Sequence, residues 1–296
     1  MSLKTGLRAE VAWDAKAMLG ESPLWDERAQ CLYWVDIEGA TLYRQEPGQE
    51  DETTALPLET PVGSIAPREG GGLVAASYEG FALLDPTDGR LDTLVDPESH
   101  LPDNRFNDGK CDPAGRFVAG SRHYLEVEPT GAVHVLEADG TTRRLFGDYA
   151  VCNGPAFSPD GRTLYFSNSV ERTVLAFDYD PAHGAVGRPR VFARFDADQG
   201  LPDGLTVDAE GFLWCAHWMG WRVTRLRPDG REDGVIELPV PHVTSCTFGG
   251  AALDVLYITT ARMQLGPEDL ARAPLAGALF KVAPGVTGLP AARFAG

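Results

Sequence analysis

The sequence predicts an all-β fold, a six-bladed β-propeller, and three observations predict it. Helical periodicity is nearly absent along the chain. Short runs rich in aromatic and β-branched residues recur between Gly, Pro and Asp. Equivalent runs return at a spacing of about 45 residues, the mark of a repeat architecture.

The leading runs are CLYWVDI, GLVAASY, RFVAGS, TLYFSNS, FLWCAHW and VLYITTA. A second run follows most of them: ATLYRQE, GFALLD, GAVHVLE, RTVLAFDY, RVTRLRP and GALFKVA. Turns such as DPTDG, EADG, SPDG, DAEG and RPDG separate them, with glycine supplying the positive φ that tight turns need. Leu32, Leu73, Phe117, Leu164, Leu213 and Leu256 hold the equivalent place, at intervals of 41 to 49 residues. A four-stranded antiparallel sheet with short turns needs that length, and six such sheets set radially protect their edges. The apolar segment from Glu10 to Trp13 is expected to add an outer strand to the last blade and close the ring. Six near-equal units argue against a pair of β-sandwiches. No interior linker or low-complexity stretch interrupts the repeat, so residues 1–296 read as one domain.

The chain has 296 residues, 43% of them hydrophobic and 23% charged, which is enough apolar material for a large core and excludes disorder. Its net charge of −17 makes nucleic acid and anionic membranes poor partners and favours bound cations. The N-terminal stretch carries acidic residues where a secretory leader needs an apolar run, and no stretch has the length of a membrane span. Cys31, Cys111, Cys152, Cys215 and Cys246 form no CxxC pair and are expected to be reduced, buried thiols of a cytoplasmic protein.

Stepping back 10 or 11 residues from each anchor reaches the start of the innermost strand of each unit. The positions reached are Glu21, Gly63 or Val62, Asn107, Asn153, Asp203 and Ser245. Five of the six carry side-chain oxygens, and the repeat would gather them around one axis. Converging carboxylates repel unless a cation sits between them. Hard oxygen donors select Ca²⁺, Mg²⁺ or Mn²⁺, and hold Zn²⁺ when open positions remain. Any one of these residues alone reads as a turn residue; the shared phase argues for a central-channel metal site. Asp112, Asp139, Asp160, Asp208 and Asp229 fall in the turns and are expected to be solvated.

GESPLW, RFNDGKCDPAGRFVAGS, CNGPAFSPDGRTLYFSNS, LPDGLTVDAEGFLWCAHW, TSCTFGG and PLAGALFKV together resemble the SMP-30/gluconolactonase/LRE family, in order and over essentially the whole chain. The resemblance implies a six-bladed propeller with one divalent cation in its channel and hydrolysis of sugar lactones. It implies metal ligands Glu21, Asn153 and Asp203, and substrate contacts Arg105 and Asn107. One departure stands out. Where regucalcin-like members carry an acidic substrate contact, this chain has Leu125, with Glu126 and Glu128 close by and Arg122 adding a cation.

The expected reaction is metal-dependent opening of an aldonolactone to the free acid, with Asp203 as general base as well as ligand. The expected partner is a small sugar lactone, and the expected state a monomer or weak homo-oligomer. A non-catalytic calcium-binding regulator and a paraoxonase-like lactonase or esterase are the alternatives. No G-x-S-x-G, HExxH or EF-hand loop occurs. His217 reads as a packing residue, and Trp218 and Trp221 as pocket wall or core.

Overall fold

A computed structural model describes residues 3, 7–46, 48 and 52–296. Of the N-terminal stretch read for a leader, residues 1, 2 and 4–6 lie outside the described residues. No helix among the described residues is long and apolar enough to cross a membrane.

Six antiparallel sheets form the ring. Blade 1 is Gly20–Asp26, Cys31–Asp36, Thr41–Gln45 and Thr54–Pro57; blade 2 is Val62–Pro67, Leu73–Ser77, Gly80–Leu84 and Leu91–Val95. Blade 3 is Asn104–Cys111, Phe117–His123, Gly131–Leu136 and Thr142–Tyr149. Blade 4 runs Cys152–Phe157, Thr163–Asn168 and Thr173–Asp180, and its outer edge is split between Ala185–Val186 and Arg190–Arg194. Blade 5 is Leu201–Val207, Leu213–Trp218, Arg222–Leu226 and Glu232–Glu237. Blade 6 takes Val243–Gly249, Val255–Thr260 and Leu279–Val282 from the end of the chain and Glu10–Trp13 from its start, closing the ring as expected.

The six anchors all lie on the second strand of their blades and are buried. Strand residues alternate between faces, so each blade presents one apolar set to each neighbour. The core accordingly divides into six buried clusters among the described residues, one between each pair of adjacent blades. Each cysteine sits in a different cluster, and all five are free and buried.

Two of the five turn aspartates depart from expectation. Asp139, Asp160 and Asp229 cap exposed turns, but Asp112 and Asp208 are fully buried. The reason is their place as the first turn residue after an inner strand. There one carboxylate oxygen accepts backbone N–H bonds across the turn, and the other faces inward. Asp112 Oδ2 accepts from Arg116 and from the Tyr179 hydroxyl. Asp208 Oδ2 accepts from Trp214 Nε1 at 2.9 Å and from Arg225 Nη2 at 2.7 Å.

Arg225 is itself fully buried, stacked 3.8 Å from the Phe212 ring centre, and also pairs with Asp233 and Glu210. Removing a buried cation strands its carboxylates. Arg225→Met should therefore cost about 3–5 kcal/mol in urea unfolding. Arg231→Ala, which breaks an exposed pair with Asp229, should leave the unfolding midpoint nearly unchanged. Similar losses for the two variants would refute the structural role given to Arg225.

Candidate active site in the channel

Every inner strand departs from regular pairing at the same height. The register slips between Glu21 and Leu24, Val62 and Ser64, Phe106 and Gly109, Asn153 and Ala156, Pro202 and Leu205, and Val243 and Ser245. A bulge frees residues from the ladder and re-aims their side chains. The inner strands also crowd here. A Cβ on Gly63 would run into the Asn107 carbonyl, and one on Gly204 into Ser245, so glycine is what permits this approach.

The bulges bring four sequence-predicted residues to one cavity of about 80 Å³: Glu21, Asn107, Asn153 and Asp203 all line it and all are buried. Ser245 and Gly63, at the remaining equivalent positions, do not line it. Arg105 lies behind Asn107. Its Nη1 donates to Asn107 Oδ1 at 3.2 Å, its guanidinium rests 4.8 Å from the Tyr78 ring centre, and Nη2 stands 3.7 Å from Glu38. Asn107 Nδ2 donates to Asn153 Oδ1, and Asn153 Nδ2 to Ser169 Oγ at 3.0 Å. Ser169 Oγ in turn donates to the Pro202 carbonyl at 2.7 Å. This chain of bonds sets the orientation of both amides.

Asp108 was missed. It is buried beside Asn107 in the bulge, Oδ1 accepts from Gly109 N at 2.7 Å, and Oδ2 has no partner. Stepping back by a fixed count selects one residue per strand and passes over the second residue of a bulge. Arg122, Glu126 and Trp218 also line the cavity, whereas Glu128 and Trp221 are exposed. His217 is a packing residue set edge-on against Phe195, and burial together with Arg222 lowers it to about 3.

The electrostatics follow from placing like charges out of water. Burial raises Glu21, and Asp108 raises it further. Burial also raises Asp203, with added repulsion from Glu21 and Asp108, and burial raises Asp108. Arg105 is pushed down to about 10 by burial and then by Arg122. Among the described residues, no group of three or more His, Cys, Asp or Glu side chains could hold a metal ion. The donor set Glu21, Asn153 and Asp203 contains only two such residues, so an amide must complete it. Hard oxygen donors, mutual repulsion and an unpartnered oxygen on Asp108 fit a divalent cation.

A family model for the SMP-30/gluconolactonase/LRE-like region matches residues 19–262. The chain is 37% identical to regucalcin of Danio rerio over 99% of this chain and all of that protein. Its fold matches a calcium-binding protein, regucalcin, from Agrobacterium tumefaciens, with a TM-score of 0.93 at 27% identity over 97% of each chain. It also matches a gluconolactonase of Xanthomonas campestris, with a TM-score of 0.77 at 25% identity over 95% of this chain and 91% of that one. The chain belongs to the SMP-30/gluconolactonase/LRE-like family.

A carboxyl raised by folding contributes fully to stability below its unfolded value of about 4 and loses that contribution as pH rises through the folded value. Cation-free protein should therefore lose melting temperature between about pH 5 and about pH 8. Glu21→Gln should flatten that loss, and a divalent cation should raise the melting temperature more at the higher pH. Parallel curves for wild type and Glu21→Gln would remove Glu21 from the strained set.

Proposed function

We propose that this chain is a metal-dependent hydrolase that opens a sugar lactone to its aldonic acid. Family membership supports lactonase-like chemistry. The observation that carries the reading is that Glu21, Asn153 and Asp203 line one cavity with Asn107 and Arg122. Glu21, Asn153 and Asp203 would hold one divalent cation, Ca²⁺, Zn²⁺, Mg²⁺ or Mn²⁺. When bound, it would supply Lewis acidity toward the lactone carbonyl and the negative charge that develops on its oxygen.

The remaining work falls to side chains. Asp203, its basicity raised by burial and by neighbouring carboxylates, takes a proton from the attacking water. The water oxygen bonds to the carbonyl carbon, the carbon–oxygen bond of the ring breaks, and the leaving ring oxygen takes up the proton that Asp203 accepted. Asn107 offers an amide to substrate hydroxyls, and Arg105 fixes that amide from behind. Trp218, stacked on His242 with ring centres 3.9 Å apart, gives an apolar wall. Five unpaired buried cysteines fit a reducing compartment such as the cytoplasm.

The calcium-binding name of the Agrobacterium relative favours a second reading, a calcium-binding regulator without turnover. Chelation separates the two. Hydrolysis of an aldonolactone panel should vanish with chelator and return with one of the four cations. Tight calcium binding without hydrolysis of any lactone would favour the regulator.

Asp203→Asn tests the base. It keeps an oxygen toward the cation but removes the basic carboxylate, so kcat should fall by about 10²-fold or more at full metal occupancy. Asn153→Asp adds charge without touching the base, and should change metal affinity more than saturated turnover. Near-wild-type turnover of fully loaded Asp203→Asn would exclude Asp203 as base.

A further inference from the structure

Arg105 and Arg122 are direct cross-strand partners in blade 3. Like charges set opposite each other on a sheet destabilise it, and burial makes that worse. Both side chains are more than nine-tenths buried. Among the described residues each has one carboxylate within 4 Å, Glu38 at 3.7 Å from Arg105 and Glu126 on Arg122, while Glu21 and Asp203 act on them from farther off. Arg105 Nε and Nη2 and Arg122 Nε have no hydrogen-bond partner. A buried guanidinium with idle donors is costly unless an acceptor arrives.

Glu126 shows what such an acceptor looks like. Its carboxylate sits on Arg122 Nη1 within the lining of the channel cavity. Its backbone is held in the left-handed region at φ 58°, and its side chain is 41% exposed, so it can leave toward solvent. It is a carboxylate from the chain seated where one from a ligand would fit.

We propose that the substrate carries a second carboxylate at the end of its chain remote from the lactone carbonyl, as an aldarolactone does. Arg122, backed by Arg105, receives that carboxylate in the place Glu126 holds in the free protein. The inference rests on the lactonase reading and names the substrate class of the same site. A guanidinium fork matches a planar carboxylate with two parallel bonds, which a hydroxymethyl group at that end could not form.

The test compares three six-carbon lactones on wild type, Arg122→Gln and Glu126→Gln, with Ca²⁺, Zn²⁺, Mg²⁺ and Mn²⁺ each supplied in turn. The substrates are an aldarolactone, the aldonolactone of the same configuration, and its 6-phosphate. In wild type, kcat/KM for the aldarolactone should exceed that for the neutral lactone by about 10²-fold and exceed that for the phosphate ester as well. Arg122→Gln should collapse the ratio to within about fivefold. Glu126→Gln, which removes the competing carboxylate, should raise aldarolactone kcat/KM severalfold and keeps the test decisive if Arg122→Gln fails to fold. A preference for the neutral or the phosphorylated lactone overturns the proposal, as does a ratio unchanged by Arg122→Gln or no gain in Glu126→Gln. If no lactone is opened, the lactonase reading falls, and melting-temperature shifts with the aldarate and the aldonate decide the subsite separately. A larger shift with the aldarate that is lost in Arg122→Gln supports it; equal shifts sink it.

Discussion

The repulsion among Glu21, Asp108 and Asp203 is the constraint around which the channel is organised. These three carboxylates come from three different blades, and all are buried and near enough to repel one another. A packed sheet would not gather them, because each would be cheaper in solvent. The ring gathers them because the inner strands must converge, and the bulges decide which side chains face the axis. The surrounding hydrogen bonds fit that arrangement. Asn107 is held by Arg105, Asn153 and the Cys152 carbonyl, and Asn153 by Asn107 and Ser169, so both amides are fixed in place. Lys110 acts at a distance, opposing burial most at Asp108 and less at Glu21.

The same geometry gives the channel two unlike ends. Below the acidic level, the far ends of the inner strands line a separate cavity of about 340 Å³, walled by Trp25, Pro67, Phe157 and Phe248 among others. Residues Leu289 to Ala292 lie across it, and Phe294 is buried in the cluster between blades 2 and 3. Glu21, Asn153 and Asp203 line the smaller cavity and not this one.

Much of this was legible in the sequence because a repeat turns one-dimensional spacing into angular position. The anchors Leu32 to Leu256 all fall on second strands, and counting back from them reached Glu21, Asn107, Asn153 and Asp203 within one residue of each bulge. The method loses resolution at the bulge itself. Two adjacent residues leave the ladder there, so Asp108 was hidden behind Asn107. Asp112 and Asp208 were misread for a related reason. Composition identifies a turn, but an aspartate's burial depends on whether it is the first turn residue after an inner strand, as Asp112 and Asp208 are and Asp160, three residues past its strand, is not. The partners Arg116 and Arg225 become visible only when the sheet folds back. The choice between Glu126 and Glu128 also needed three dimensions, because both follow the second strand of blade 3 and only Glu126 turns into the cavity.

The distribution of charge around the axis separates chemistry from selection. The carboxylates that would hold a cation and move a proton come from blades 1 and 5, joined by the amide of blade 4. The guanidinium groups come from blade 3 alone, on two neighbouring strands, with Glu126 on the turn that follows. Arg122 and Glu126 take no part in the hydrogen bonds that run from Asn107 through Asn153 to Ser169, so they can vary without breaking that chain. The opposed arginines carry a cost that the bare fold does not need, since a neutral residue at position 122 would pair with Arg105 without repulsion. Such strain persists where the surroundings enforce it and a ligand relieves it. A ligand anion on Arg122 would relieve it, and across the same cavity stand the acidic Glu21 and Asp203. A molecule with a reactive carbonyl at one end and a carboxylate at the other has that polarity.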